Sequence, residues 1–188
     1  MKDYSIEENI EDSKQLALLF KTINNCPKPV LGKINGHALG GGVGLLSVCD
    51  FVHIHDRAKF GFTETRLGLI PAVISPYVIN KIGESMARAY FISGDMFKSD
   101  IAISMGLAHK VSSLDEFEAE FEKTLASFML AAPRASMRSK LLVKDILHGK
   151  NLDKINYTCV AISEQRISEE GQEGMAALLE KRSPQWKK

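Results

Sequence analysis

The sequence predicts an α/β fold followed by an all-helical region. Two observations support the α/β part: a β-prone run, residues 29–34, leads through a glycine cluster into an apolar segment, and short strand-like runs follow as far as Val111. The third observation is that the periodic segments from Ser112 onward have helical spacing. We therefore predict an α/β part over residues 1–111 and a helical part over residues 112–188.

The glycine cluster, residues 35–44, is the feature around which the first part is organised. It lies between the β-prone run and residues 45–49, an apolar segment that fits a buried helix or a buried strand. A strand that passes through glycines into a helix leaves free N–H groups at the helix start, and backbone without Cβ atoms lets a bound oxygen approach closely. Tight packing of a helix on a sheet also requires glycines. The motif supports both interpretations equally.

The other elements of the first part follow from local signals. Ser5 and Glu8 form a capping box that opens a helix through about residue 24. Apolar and polar residues alternate along residues 50–55, which predicts a half-buried strand. The remaining predictions, in chain order, are a short strand at 60–62, helices at 72–82 and 85–92 separated by Gly83, a turn and short helix at 95–105, and a last strand at 107–111.

The second part is predicted from helix-start and helix-stop signals. Ser113 and Glu116 form another capping box, ahead of an amphipathic helix whose apolar face continues to residue 128. Pro133 suits the first turn of a helix that ends at Gly149, and its basic side chains are interpreted as a solvated face. We expect Asn151 to cap the next helix and a final helix to cover residues 172–181.

Composition narrows the class of protein. The 188 residues are 45% hydrophobic and 25% charged, and 24 basic against 23 acidic residues give a net charge of +1. We therefore expect neither a nucleic acid nor a membrane as a partner. Cys26, Cys49 and Cys159 form no CxxC pair, and no apolar signal segment opens this chain, which predicts a reduced, cytoplasmic location.

Glu64 is the best candidate for a chemical group that could act with the glycine cluster. It lies in a loop-like stretch between β-prone residues and Pro71, where functional residues often occur. It can be interpreted as a general acid or base, or as a surface carboxylate paired with Arg66 or Arg57. The glycines fit neither a P-loop nor a Rossmann fingerprint.

The histidines do not predict a metal site. His53 and His55 share one face of a predicted strand, but no further ligands are spaced to complete a site, so we interpret them as side chains on a solvated strand face. His37 follows a turn glycine, and we interpret it as a hydrogen-bonded structural histidine.

Ordered motifs over nearly the whole chain resemble the crotonase superfamily of enoyl-CoA hydratases and isomerases. The segments that carry the resemblance are 28–46 (KPVLGKINGHALGGGVGLL), Cys49-Asp50, 60–71 (FGFTETRLGLIP), 91–95 (FISGD), 102–111 and 181–186 (KRSPQW). Within the family, residues 66–77 are most similar to bacterial methylglutaconyl-CoA hydratase.

The resemblance implies a spiral of ββα turns followed by helices that build homotrimers, often paired into hexamers. It implies an acyl-CoA substrate and no cofactor beyond the coenzyme A of that substrate. By motif, Gly41 matches a backbone N–H donor to the thioester oxygen, and Glu64 matches the catalytic carboxylate. We expect Leu39, Gly40, Gly42 and Pro71 to contact the substrate.

Two departures from the family pattern qualify this reading. Well-known hydratases carry a second glutamate where this chain has Gly44. The region that holds the other oxyanion donor in the family would precede residue 1, so we expect the N-terminal part of the family domain to be missing. The favoured function is hydration of an enoyl-CoA, which could be 3-methylglutaconyl-CoA. The alternatives are isomerisation of the double bond and a truncated, non-catalytic assembly module.

Overall fold

The computed structural model describes residues 4–149 and 152–187. The chain forms two compact units: Met1–Cys26 with Val30–Phe121, and Pro27–Pro29 with Glu122–Lys188. The first unit is a mixed α/β structure and the second is helical, so the α/β class is confirmed. Across the described residues, no helix combines the length and apolar character that crossing a membrane requires.

The first unit holds two helices of 19 residues and six short strands. Its elements are α1 (Ile6–Asn24), β1 (Leu31–Ile34), β2 (Ala38–Leu39), α2 (Gly41–Ser47), β3 (Phe51–His55), β4 (Lys59–Gly61), a 3₁₀ helix (Thr63–Leu67), α3 (Ser75–Ser93), β5 (Met96–Lys98), α4 (Ser99–Ser104), β6 (Lys110–Ser112) and the start of α5 (Phe117–Met129). The capping box predicted at Ser5 and Glu8 is present. Gly83, at φ +75°, interrupts α3 where a break was predicted.

Two three-stranded sheets organise the first unit. The first has the order β1-β3-β6 and is parallel throughout, with Leu31 opposite Phe51 and His53 opposite Lys110. In the second, β2 runs parallel to β4, and β4 runs antiparallel to β5. The prediction for residues 95–105 did not include β5, and the glycine cluster was not expected to contain β2. Both strands are two or three residues long and exist through their pairing with β4.

The core of the first unit is apolar and continuous. Its fully buried side chains include Phe20, Val52, Ile54, Phe60 and Phe62. The rings of Phe62 and Phe91 pack edge to face with their centroids 4.8 Å apart. This core supports both sheets and the apolar side of α3.

The prediction that His53 and His55 lie on a solvated strand face is wrong. His53 is completely buried and His55 is 6% exposed. The ring of Phe117 packs against both, and Ser112 Oγ lies 2.6 Å from His53 Nε2. Burial, reinforced by the charge of Lys110, lowers the pKa of His53. Strand β3 is a central parallel strand covered on both faces, so its alternating sequence does not mark a half-buried strand.

The second unit consists of the end of α5 and helices α6 (Pro133–His148), α7 (Lys154–Ile167) and α8 (Glu169–Leu179). Pro133 starts α6 and Gly149 follows its last residue, as predicted. Asn151, the predicted cap of α7, lies outside the described residues, and the N-cap is Asp153, which accepts a hydrogen bond from the Asn156 N–H. Ser113 and Glu116 hydrogen-bond in the turn that precedes α5, one residue before the helix begins.

Carboxylates hold the helices of the second unit together. Helix α6 has no side-chain cap of its own, and the N–H groups of Arg134 and Ala135 donate to Glu170 at 2.9 and 2.7 Å. Arg138 pairs with Glu164 across the same unit. Part of the basic side of α6 therefore contacts acidic side chains rather than solvent alone.

Candidate active site

Gly40 provides the turn between β2 and α2. Its φ of +51° lies in the region that side chains disfavour, so a glycine is suited to this position. The Gly40 N–H donates to the carbonyl of Gly61 in β4 at 2.9 Å, and the Gly40 carbonyl accepts from the N–H groups of Val43 and Gly44. The start of α2 is thereby fixed to the second sheet by backbone hydrogen bonds.

The first turn of α2 presents its backbone to open space. Gly41 is exposed, and a Cβ atom built on it would have no neighbour within 4 Å. As the first residue of the helix it has no intrahelical acceptor for its N–H, because the first N–H groups of a helix have no carbonyl one turn earlier. Leu39 is 43% exposed beside it, and Gly42 is half-buried. These features are those of a backbone donor available to a ligand.

The Glu64 carboxylate lies directly against Gly40. A Cβ atom on Gly40 would be 2.9 Å from Glu64 Oε1, so the absence of a side chain at residue 40 makes room for this carboxylate. Glu64 Oε2 is shielded from solvent and has no hydrogen-bond partner among the described residues. The structure therefore places the Glu64 carboxylate against Gly40, the residue directly before Gly41 in the chain.

Contacts at its C-terminal end and along its side hold the 3₁₀ helix that carries Glu64 in place. Gly68 closes it in a left-handed conformation at φ +73°, and the Leu69 N–H donates to the Glu64 carbonyl at 2.9 Å. Arg66 forms an ion pair with Asp95, where α3 ends and β5 begins. Arg66 is therefore not the partner of Glu64, and the surface-pair interpretation is wrong for that residue. Nothing in the sequence marked Asp95 as its partner.

Gly94, at the end of α3, packs closely against the 3₁₀ helix. Gly94 has φ +63°, and a Cβ atom there would lie 2.8 Å from Thr65 Oγ1 and 2.9 Å from Arg66 Cγ. The backbone at the end of α3 thus packs directly on the residues that follow Glu64. Pro71, expected to contact substrate, is buried, whereas Leu67, Leu69 and Ile70 are exposed.

Gly44 has a different environment from Gly41. A Cβ atom on Gly44 would lie 2.9 Å from Phe20 Cζ, 3.1 Å from Ile74 Cβ and closer still to Ile74 Cγ2. Phe20 and Ile74 are buried, so these atoms belong to the packed core. The space beside residue 44 is therefore occupied by hydrocarbon, and a glutamate side chain has no room there.

His37 is structural, in line with its sequence interpretation. Its Nδ1 atom accepts a hydrogen bond from the Lys59 N–H at 3.0 Å, which ties the turn before β2 to β4. Among the described residues, no cluster of three or more His, Cys, Asp or Glu side chains could hold a metal ion.

Comparisons with a family model and with solved structures show the family to which this chain belongs. The family model described as enoyl-CoA hydratase/isomerase matches residues 2–188. The chain belongs to the enoyl-CoA hydratase/isomerase family. A solved enoyl-CoA hydratase from Shewanella pealeana superposes with a TM-score of 0.91 at 34% identity, over 98% of this chain and 69% of that one. This agrees with the crotonase-like fold expected from the sequence.

Sequence relatives within the family carry similar names. A crotonyl-CoA hydratase from Syntrophomonas wolfei is 31% identical over 171 residues, which are 87% of this chain and 64% of that protein. An enoyl-CoA hydratase from Alternaria alternata is 36% identical over 144 residues, 73% of this chain and 48% of its own length. The chain thus spans about half the length of the Alternaria relative.

Proposed function

We propose that this protein hydrates an enoyl-CoA thioester, with Gly41 as an oxyanion donor and Glu64 as the acid or base. The observation that carries the proposal is the Glu64 carboxylate packed against Gly40, directly before Gly41, the exposed first residue of α2. A carboxylate beside a backbone donor matches the needs of addition to an unsaturated thioester. One group handles a proton while the other holds the negative charge that develops on oxygen.

The proposed reaction is conjugate addition of water. The water oxygen bonds to the β carbon of the thioester as its proton passes to Glu64, and the electrons of the double bond move onto the thioester oxygen. The Gly41 N–H stabilises that enolate oxygen because the donor is in place before charge develops. Glu64 then returns the proton to the α carbon, which restores the carbonyl. Gly40 and Gly42 flank the donor, and we assign them to substrate contact together with Leu39.

Isomerisation is the second candidate, and the packing around Gly44 favours it. Because Phe20 and Ile74 fill the space beside Gly44, no second carboxylate can stand at this position of α2. A single carboxylate suffices to remove a proton from one carbon and return it to another. Product analysis in ¹⁸O-labelled water separates the two reactions, since only hydration places labelled oxygen in the product.

The direct test is hydration of crotonyl-CoA by the wild-type protein and by Glu64→Gln. We expect kcat to fall by about 10²–10³-fold in the variant, because an amide cannot take up the proton of water. Glu84→Gln is the matched control: it makes the same change at an exposed carboxylate on α3, which pairs with Arg88, and should leave turnover unchanged. Equal turnover by wild type and Glu64→Gln would remove Glu64 from the mechanism.

The acyl group is a finer part of the proposal. The sequence similarity over residues 66–77 supports 3-methylglutaconyl-CoA as a substrate to compare with crotonyl-CoA. The structure supplies no unpaired arginine for its second carboxylate at Arg66 or Arg88, since these pair with Asp95 and Glu84. A preference for 3-methylglutaconyl-CoA would therefore require another cation.

Assembly and location complete the proposal. The second unit leaves large apolar side chains exposed, among them Val143, Leu147, Ile155 and Leu179. We propose that the helical region builds a homotrimer, and sedimentation equilibrium tests this state. If the protein assembles but calorimetry detects no binding of acyl-CoA, a non-catalytic assembly module is favoured instead. The three cysteines are free thiols, which supports a reduced compartment such as the cytoplasm.

A further inference from the structure

Helix α2 is short and lacks a side-chain cap at its N-terminus. It has seven residues, so it is about 10 Å long at 1.5 Å per residue. Its N-cap residue is Gly40, which has no side chain to accept from the first N–H groups. A cap at this end would compete with the ligand proposed for the Gly41 N–H. The Gly40 N–H bond to the Gly61 carbonyl holds the start of the helix, and contacts at its other end complete its placement.

Lys81 supplies such a contact at the opposite end. From α3, its ammonium donates to the carbonyl oxygens of Cys49 at 2.6 Å and of Leu46 at 3.2 Å. These carbonyls stand in and just after the last turn of α2, where the helix dipole is negative, and the Leu46 carbonyl also accepts from the Cys49 N–H at 3.2 Å. One cation thus links α3 to two carbonyls at this end of α2 and complements the dipole.

Lys81 is half-buried. Burial lowers the pKa of Lys81, and the neighbouring Cys49 and Asp50 oppose that shift. Burial lowers the pKa of His109, and the charge of Lys81 adds to that shift. Interactions of a partly desolvated charge are stronger than those of an exposed one, so this contact constrains α2 more than a surface ion pair would.

We infer that Lys81 is a positioning residue for the oxyanion donor. It holds α2 from its C-terminal end so that the Gly41 N–H stays in place while remaining free for the substrate. The inference rests on the proposed function of Gly41. Lys81 itself contacts neither substrate nor reacting atoms, and it acts only through the placement of the helix. A lysine in the middle of a helix carries no sequence signal of this role.

The test measures polarisation of a bound thioester as well as turnover. In trans-cinnamoyl-CoA the conjugated thioester absorbs at longer wavelength when donors polarise its carbonyl, so the red shift on binding reports the oxyanion contact. We expect Lys81→Met to lose most of this shift. Its kcat for crotonyl-CoA should fall about tenfold or more with KM within threefold of wild type, since a misplaced donor weakens the transition state selectively.

Three further variants separate an effect on the oxyanion donor from other effects of the substitution. Lys98→Met, the same change at an exposed lysine on β5, should retain both shift and turnover. Glu64→Gln should retain the shift while losing turnover. Lys81→Gln has a shorter, uncharged donor, and we expect an intermediate shift; thermal unfolding establishes that each variant is folded.

The two levels of the proposal fail in different ways. A wild-type red shift and wild-type kcat in folded Lys81→Met would overturn the positioning role and leave the proposed function intact. If the wild-type protein itself binds trans-cinnamoyl-CoA without any shift, the oxyanion role of Gly41 is overturned, and the role of Lys81 with it.

Discussion

Gly41 and Gly44 stand three residues apart in one short helix and serve opposite purposes. Gly41 faces open space, whereas Gly44 is closed in by Phe20 and Ile74. The same residue type is needed at the first position to expose backbone and at the second to let helix and core approach closely. The packing interpretation of the glycine cluster holds at Gly44, and the open backbone at Gly41 is what the proposed oxyanion role requires.

The largest effect is expected from filling the closed position. Gly44→Glu would place a carboxylate among buried hydrocarbon, where both overpacking and the unpaired charge oppose folding. We expect no folded protein by circular dichroism. Gly44→Ala adds only a methyl group and should lower the free energy of unfolding by about 1–3 kcal/mol in urea titrations. A stable, active Gly44→Glu would show that Phe20 and Ile74 can move to make room for the new side chain. Gly44 would then not differ from Gly41 in its tolerance of a side chain.

The next effect is expected at Gly40, the N-cap residue that precedes both glycines. Gly40→Ala forces a side chain into φ +51° and against Glu64 Oε1. We expect a loss of about 1–3 kcal/mol in the free energy of unfolding from strain, together with a displaced carboxylate. The kcat for crotonyl-CoA should fall by about 10²-fold, as a 1 Å misplacement can cost that much. Gly36→Ala, at a turn glycine with no neighbour within 4 Å of its Cβ position, is the control.

A smaller effect is expected at Asp95, which pairs with Arg66 on the 3₁₀ helix that carries Glu64. Asp95→Asn removes the charge that pairs with Arg66, and the 3₁₀ helix is held less firmly. Because both partners are more than half exposed, we expect less than about 1 kcal/mol in stability and a fall of about threefold in kcat with KM unchanged. Glu84→Gln breaks a similarly exposed pair on α3 and should change neither. A matching loss of kcat in this control would mean that any surface pair has this effect.

The smallest effect on folding is expected at the open position. Gly41→Ala places a methyl group where no atom lies within 4 Å, and alanine favours helix over glycine. The free energy of unfolding should change by less than about 1 kcal/mol. The methyl group lies on the side proposed for the ligand, so KM for crotonyl-CoA should rise. Marked destabilisation in thermal unfolding would contradict the description of this turn as open.

Sequence patterns predicted the elements whose signals are local. The capping box at Ser5, the break at Gly83 and the proline at the start of α6 depend on residues close to one another in the chain. Strand β5 was missed because three residues carry no periodicity of their own. The solvated face assigned to His53 was wrong because Phe117, which covers it, comes from a distant helix.

Only part of the candidate site could be predicted in the same way. Ordered motifs predicted roles for Gly41 and Glu64, and the structure places Glu64 against Gly40, the residue before Gly41. The contacts that hold them are long-range: Asp95 with Arg66, and Lys81 with the end of α2. An aspartate in a turn and a lysine within a helix are both common, so neither predicts a role. These contacts could be identified only from the folded structure.

The cap that Glu170 provides to α6 has a consequence for synthesis. The acceptors for the Arg134 and Ala135 N–H groups belong to a residue that the ribosome adds much later. Until residue 170 has emerged, the start of α6 is hydrated rather than capped. The first N–H groups of α6 therefore gain these acceptors only after the start of α8 has been synthesised, and a nascent chain arrested before that point lacks the contact.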